Sequence, residues 1–143
     1  MRMALAEAQI AGQDREVPVG AVIVHPERGL IARAHNLREG LNDATAHAEL
    51  LAIGQACAAL ESWRLEETVL YSTLEPCAMC AGAILQARIP RVVYGARDPK
   101  AGAVESVVQL WRPGLFNHDV SWRGGVLDDE CAAMLTQFFR DLR

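Results

Sequence analysis

No stretch of the chain is apolar for long enough to cross a membrane. Glu7 and Gln9 interrupt the first dozen residues before they could serve as the apolar part of a secretion signal. The expected location is therefore the cytoplasm, with no membrane partner. Cysteine is also sparse, with only four residues, at 57, 77, 80 and 131, of which one pair is close. This is not the pattern of a secreted disulfide framework, and it fits a reducing compartment. A surplus of basic charge is missing too: the net charge of −4 argues weakly against a nucleic-acid partner, which usually needs basic surface to neutralise phosphates. There is no internal repeat and no low-complexity segment. The 143 residues suit a single domain, 1–143, able to bury a core without crosslinks.

What is present reads as alternating helices and apolar strands. Met1, Leu5, Ala8 and Ala11 recur at helical spacing, so 1–11 is an amphipathic helix. The β-branched run 17–24 is a central strand, and 30–36 is a second strand joined to it through the turn 26–29. Gly40, Asn42 and Asp43 make 38–44 a loop, with Asp43 or Thr45 placed to cap the next helix. That helix runs toward Trp63 and carries Leu50, Ile53, Cys57 and Leu60 as its apolar stripe. Residues 68–74 form a third strand, 78–87 a helix and 91–95 a fourth strand, the pattern of a parallel crossover. The stretch 96–125 is mixed, with a helix expected at 105–111 and a last strand at 119–122. A closing helix at 128–142 has three acidic residues in its first turn. The expected architecture is α/β, a three-layer α/β/α sandwich on a mixed sheet of about five strands.

Charge is unevenly distributed. Residues 88–123 hold Arg88, Arg91, Arg97, Lys100, Arg112 and Arg123 against only Asp98, Glu105 and Asp119. On charge alone this segment fits a phosphate track or an ordinary solvated surface equally well.

The chemistry concentrates in two short motifs. Cys77 and Cys80 are three apart on the first turn of a helix, so both thiols can lie on one side of it. In Thr45-Ala46-His47-Ala48-Glu49, His47 and Glu49 can approach one centre only from a helix start. His47, Cys77 and Cys80 would give three ligands, the number typical of catalytic zinc with one position open. Two thiolates and a neutral imidazole already balance the charge of Zn²⁺, so Glu49 is better placed as a proton carrier than as a ligand.

Taken with Pro76-Cys77-Ala78-Met79-Cys80, the His47 motif resembles the signature of the zinc-dependent nucleobase deaminases. The likeness extends to 16–22, Ala34-His35-Asn36, Leu74-Glu75-Pro76, 95–98, Pro113-Gly114 and 129–133, and so covers nearly the whole chain. In order and spacing these segments are similar to the bacterial tRNA-specific adenosine deaminases of the cytidine/deoxycytidylate deaminase superfamily. The resemblance implies a cytidine deaminase-like fold, one zinc ion per chain and conversion of wobble adenosine to inosine. It also implies binding of a tRNA anticodon stem-loop and assembly as a homodimer. Residue by residue it implies His47, Cys77 and Cys80 as zinc ligands, Glu49 as acid and base, and Asn36 as a contact to the flipped adenine. Asp98 and Lys100, with Phe138, Phe139 and Arg140, match positions near the RNA. Two departures stand out. The family typically has a longer extension before the first helix, and Glu105 is expected to add negative charge close to the RNA path.

Three rival readings compete with this one. A Cys-x-x-Cys at a helix start suits a redox dithiol, but leaves His47 and Glu49 without a role. A non-catalytic zinc or RNA-binding module has no use for a non-ligand acid. Deamination of free guanine, cytosine or cytidine would use the same metal and acid. Outside the motifs, Cys57 and Cys131 read as core residues. His25, His35 and His118 read as surface or hydrogen-bonded groups, with His118, in the basic segment, the one of the three best placed to meet substrate. Trp111, Phe116 and Trp122 suit core or interface. Phe138 and Phe139 cannot both face the core from one helix, so one is left for a partner.

Overall fold

The computed structural model describes residues 1–143 and places Gly20–His25 (β1) antiparallel to Gly29–His35 (β2) as a hairpin. Gly29 takes a φ of 73°, a conformation glycine adopts without steric cost. Val69–Leu74 (β3) pairs antiparallel with the other edge of β1. Arg91–Ala96 (β4) and the short Ser121–Arg123 (β5) then extend the sheet in parallel. The order is β2-β1-β3-β4-β5, a mixed five-stranded sheet.

Helices cover both faces, because strands this apolar leave neither face to water. On one side lie Arg2–Gln13 (α1) and Asp128–Asp141 (α5); on the other lie Ala48–Leu60 (α3) and Ala78–Gln86 (α4). Close approach is made possible by small residues. A methyl group on Gly20 would overlap the carbonyl oxygen of Ala4, and one on Gly95 would overlap Cys131 Sγ. The main core lies between the sheet and the α3/α4 layer, with Ile23, Leu70, Val92 and Tyr94 packed against Ala52, Ala56 and Ile84.

Several local expectations are corrected. Strand β1 begins at Gly20, because Val19 N–H bonds back to Val17 O at 2.8 Å and bends the chain before it. The expected loop 38–44 contains a single helical turn, Arg38–Leu41 (α2), which ends at Asn42 with φ 51°. Neither Asp43 nor Thr45 caps α3; His47 is its N-cap, and Asp43 instead accepts the N–H and hydroxyl of Thr45 at 2.8 and 2.7 Å. The most deeply buried residues of α3 are Ala48, Glu49, Ala52 and Ala56, with Ile53, Cys57 and Leu60 only partly buried beside them. Small side chains let this helix sit closer to the sheet than a leucine stripe would.

Glu7 is buried as well, held by Arg33 Nε at 2.6 Å and His35 Nδ1 at 2.8 Å. Burial pushes its carboxyl up, but those two bonds outweigh it and hold the group below the usual carboxylate range. No helix forms at 105–111: the N–H groups of Val107 and Val108 donate to Gly102 O at 2.9 and 3.4 Å and that of Leu110 to Ala103 O at 3.0 Å, in place of carbonyls four residues back. No helix is long and apolar enough to cross a membrane.

Candidate active site

Both chemical motifs lie at helix starts, on neighbouring helices of one layer. His47 takes an extended conformation (φ −76°, ψ 149°) as N-cap of α3, and Cys77 does the same (φ −74°, ψ 175°) at α4. Extended backbone at an N-cap turns the side chain past the end of its helix, so the imidazole and the first thiol meet. His47 Nδ1 lies 3.6 Å from Cys77 Sγ and 3.5 Å from Cys80 Sγ, and the three ligand atoms fall within 4.8 Å of one another. Two sulfurs and one imidazole nitrogen, with no fourth side chain in the cluster, form a donor set that fits zinc with one open position.

Electrostatics in this pocket follow from the same contacts. Hydrogen bonding from Cys80, and then from His47, lowers Cys77 to about 4 in spite of burial. Cys80 is pushed far up by the neighbouring Cys77 sulfur, by burial and by Glu49. His47 is raised, chiefly by its bond to Cys77. Cys77 is thus the sulfur favoured as a thiolate, and a metal held here would take the place of the protons its ligands give up. Glu49, only 4% exposed, stands on the first turn of α3 outside the three-ligand cluster. Burial pushes its carboxyl above the usual carboxylate range. Ser72 Oγ is 3.4 Å from Glu49 Oε1, while its single hydroxyl proton goes to Leu74 O at 2.8 Å.

His47, Glu49 and Cys77 open on a cavity of about 620 Å³, with Cys80 buried behind them. Asn36, Asp98, Lys100 and Phe139 line the same cavity, whereas Phe138 and Arg140 lie outside it. Asn36, 6% exposed and just past β2, is oriented by Nδ2–H donation to Val17 O at 3.3 Å. Asp98 Oδ1 accepts the N–H groups of Lys100 and Ala101 at 3.0 and 3.2 Å, which fixes the turn that presents Lys100.

Arg38, Ala132, Leu135 and Thr136 also line the cavity and were not singled out as functional residues from the sequence, which pointed on this helix only to Phe138, Phe139 and Arg140. Ala132, Leu135, Thr136 and Phe139 supply the helical wall at i, i+3, i+4 and i+7, a spacing readable in the sequence. Phe139 is the exposed member of the aromatic pair, and Phe138 is half-buried and edge-on to it at 5.4 Å. Arg140 lines a smaller adjoining hollow with Arg143. None of His25, His35 and His118 reaches the cavity; His118 Nε2 pairs with Ile89 O at 2.8 Å. Trp111 is buried and donates to Ala81 O, whereas Trp122 stacks on Tyr94. Glu105 does not offer its charge to the cavity: it pairs with Arg97 and accepts the Tyr94 hydroxyl, leaving its side chain 19% exposed.

The zinc-binding region of cytidine and deoxycytidylate deaminases matches residues 1–96 of this chain. The tRNA-specific adenosine deaminase of Bacillus subtilis (strain 168) is 50% identical over 143 residues, covering 100% of this chain and 88% of that protein. A solved tRNA:A34 deaminase structure, from work on A-to-I editing at the wobble position, superposes with a TM-score of 0.89. It has 50% identity over 94% of this chain and 97% of that one. The guanine deaminase of Nitrosomonas europaea superposes with a TM-score of 0.79 at 27% identity, over 96% and 82% of the two chains. The chain therefore belongs to the cytidine and deoxycytidylate deaminase zinc-binding family, and zinc is the metal that its His-Cys-Cys cluster suits.

Proposed function

We propose that this protein is a zinc-dependent hydrolase that converts adenosine to inosine at the wobble position of a tRNA anticodon, releasing ammonia. The observation that carries this reading is the placement of Glu49. A buried carboxyl outside the metal cluster shares one cavity with His47 and Cys77, as acid/base chemistry beside a metal requires. The choice of tRNA over a free base is supported by 50% identity to a tRNA-specific deaminase across the full chain, against 27% to a guanine deaminase.

In this reading His47, Cys77 and Cys80 hold the ion. Bound zinc supplies a water acidic enough to act as a nucleophile near neutral pH. Glu49 is the group that would take a proton from the attacking water, give one to the ring nitrogen beside C6 of adenine and serve the departing amine by the same route. Asn36 hydrogen-bonds the flipped base, and Asp98 and Lys100 meet the RNA beside it. The exposed ring of Phe139 is available for stacking on a base at the cavity mouth.

Residues 1–143 act as one deaminase domain, and the anticodon stem-loop is the part of the tRNA that docks. Assembly as a homodimer is supported by the exposed Met79 on α4 and the exposed Val107 and Val108. Those valines bond back to Gly102, which bridges Cys77 at the start of α4. Four free cysteines fit a reducing cytoplasm.

The test is to incubate the zinc-loaded protein with a tRNA bearing wobble adenosine, alongside free guanine and cytidine. Inosine should form in the tRNA alone. Turnover of a free base without turnover of the tRNA would replace this reading with the free-base alternative. Metal analysis should return about one zinc per chain; a metal-free protein with a reversible Cys77–Cys80 disulfide would favour the redox dithiol.

A further inference from the structure

Glu75 takes no part in the metal cluster or the proton chemistry, yet it is only 1% exposed and immediately precedes Pro76-Cys77. Its carboxylate accepts the N–H of Asp98 at 2.9 Å and those of Val104, Glu105 and Ser106 at 3.2, 2.8 and 2.9 Å, together with the Ser106 hydroxyl. All these partners belong to one loop, 98–106, whose first residues form the cavity wall. Backbone ties run alongside. Glu75 N–H donates to Ala96 O at 2.8 Å, Ala103 N–H donates to Pro76 O at 2.8 Å, and Gly102 bridges Cys77. Residue 102 has to be glycine, because a methyl there would overlap the Glu75 carboxyl group.

We infer that Glu75 is a positioning residue: its carboxylate clamps the 98–106 loop to the segment bearing Cys77, and so sets where the Asp98–Lys100 wall stands relative to the metal cluster. Only an acceptor with two oxygens can serve donors that converge from both ends of the loop. Glutamine has the same shape but turns two N–H groups toward them. The loop then loses its anchor while its length and sequence remain. The Asp98–Lys100 wall meets the RNA beside the base and not the reacting atoms, so its displacement weakens substrate binding and leaves the proton chemistry at Glu49 in place.

This inference rests on the deaminase reading, and its test separates the two. Zinc-loaded wild type, Glu75→Gln and Gly102→Ala would be compared for bound zinc, kcat and KM, and amide hydrogen exchange. In both variants KM should rise by about tenfold with kcat within about threefold and zinc unchanged. Amides of Val104, Glu105 and Ser106 should exchange faster, while those of α3 and α4 do not. Gly102→Ala crowds the carboxylate without altering its chemistry, so it reports independently should Glu75→Gln fold poorly. An unchanged KM, a loss confined to kcat, or a loss of zinc would each overturn the positioning role. Should wild type prove inactive on tRNA, the tRNA reading fails on the wild type itself. The KM split then decides the role of Glu75 on whichever base or nucleoside the wild type does deaminate.

Discussion

Two buried carboxyls show how environment assigns a residue its task. Glu49 has its carboxyl raised by burial, whereas Glu7 is held down by its bonds to His35 and Arg33. The first suits proton transfer and the second a fixed charge. Glu49→Gln keeps the shape and removes the titration, so turnover should fall by about 10²- to 10⁴-fold while zinc content stays at the wild-type level. Rate and metal assays on the same sample check this; surviving turnover would remove Glu49 from the acid/base role. Glu7→Gln should destabilise the fold by about 1–3 kcal/mol at pH 7, because it weakens the hold on two partners. The native carboxyl of Glu7 is held below its unfolded value. Its contribution is therefore complete above that value, about 4.3, and is lost as pH falls through the folded one. Urea titrations should show the gap between wild type and variant narrowing below about pH 4.

At the scale of elements, the close seating of α1 on β1 depends on what is not there. Ala4, Ala8 and Ala11 are fully buried, and Gly20 has no room for a Cβ against the backbone of Ala4 and Ala8. Gly20→Ala must therefore move the helix, at a cost of about 1–3 kcal/mol. A lowered midpoint in chemical denaturation, with unchanged zinc content, is the expected result. Helix α5 does a different job, since one of its faces closes the cavity rather than only covering the sheet. The stripe at 132, 135, 136 and 139 was available in the sequence, but periodicity alone does not say whether a stripe meets core or cavity. Conversely, the helix expected at 105–111 has the right local composition and does not form. The N–H groups of Val107, Val108 and Leu110 turn back to the carbonyls of Gly102 and Ala103, in the loop that Glu75 holds, and those bonds replace the four-residue spacing of a helix.

Across the whole molecule, net charge and local charge point in opposite directions. The chain carries −4, yet Arg38, Arg97 and Lys100 line the cavity, and Arg140 and Arg143 line the hollow beside it. The basic segment 88–123 supplies only two of these, and one of them, Arg97, is already paired with Glu105. The cationic surface near the cavity is therefore assembled from three separated parts of the chain. Lys100 is exposed and forms no ion pair with a carboxylate, so Lys100→Ala should weaken RNA binding at low salt. It should also reduce the slope of log K against log salt by about 0.7, as expected for one lost phosphate contact on a single strand. Binding isotherms at several salt concentrations measure this, and an unchanged slope would place Lys100 off the RNA path.

The metal motif was readable because its parts are local. Cys77 and Cys80 share one helical turn, His47 and Glu49 share another, and spacing within a turn fixes which side chains can converge. The sheet's four main strands, the α/β alternation and the metal-site candidates follow from such short-range rules. Tertiary structure alone decided that Arg38, the Asp98–Lys100 loop and the α5 face surround one cavity, that Glu105 turns inward to Tyr94, and that Glu75 holds the loop in place. Those relations join residues that are distant in the chain through hydrogen bonds and packing, and no local pattern encodes which distant partner will satisfy a buried carboxylate.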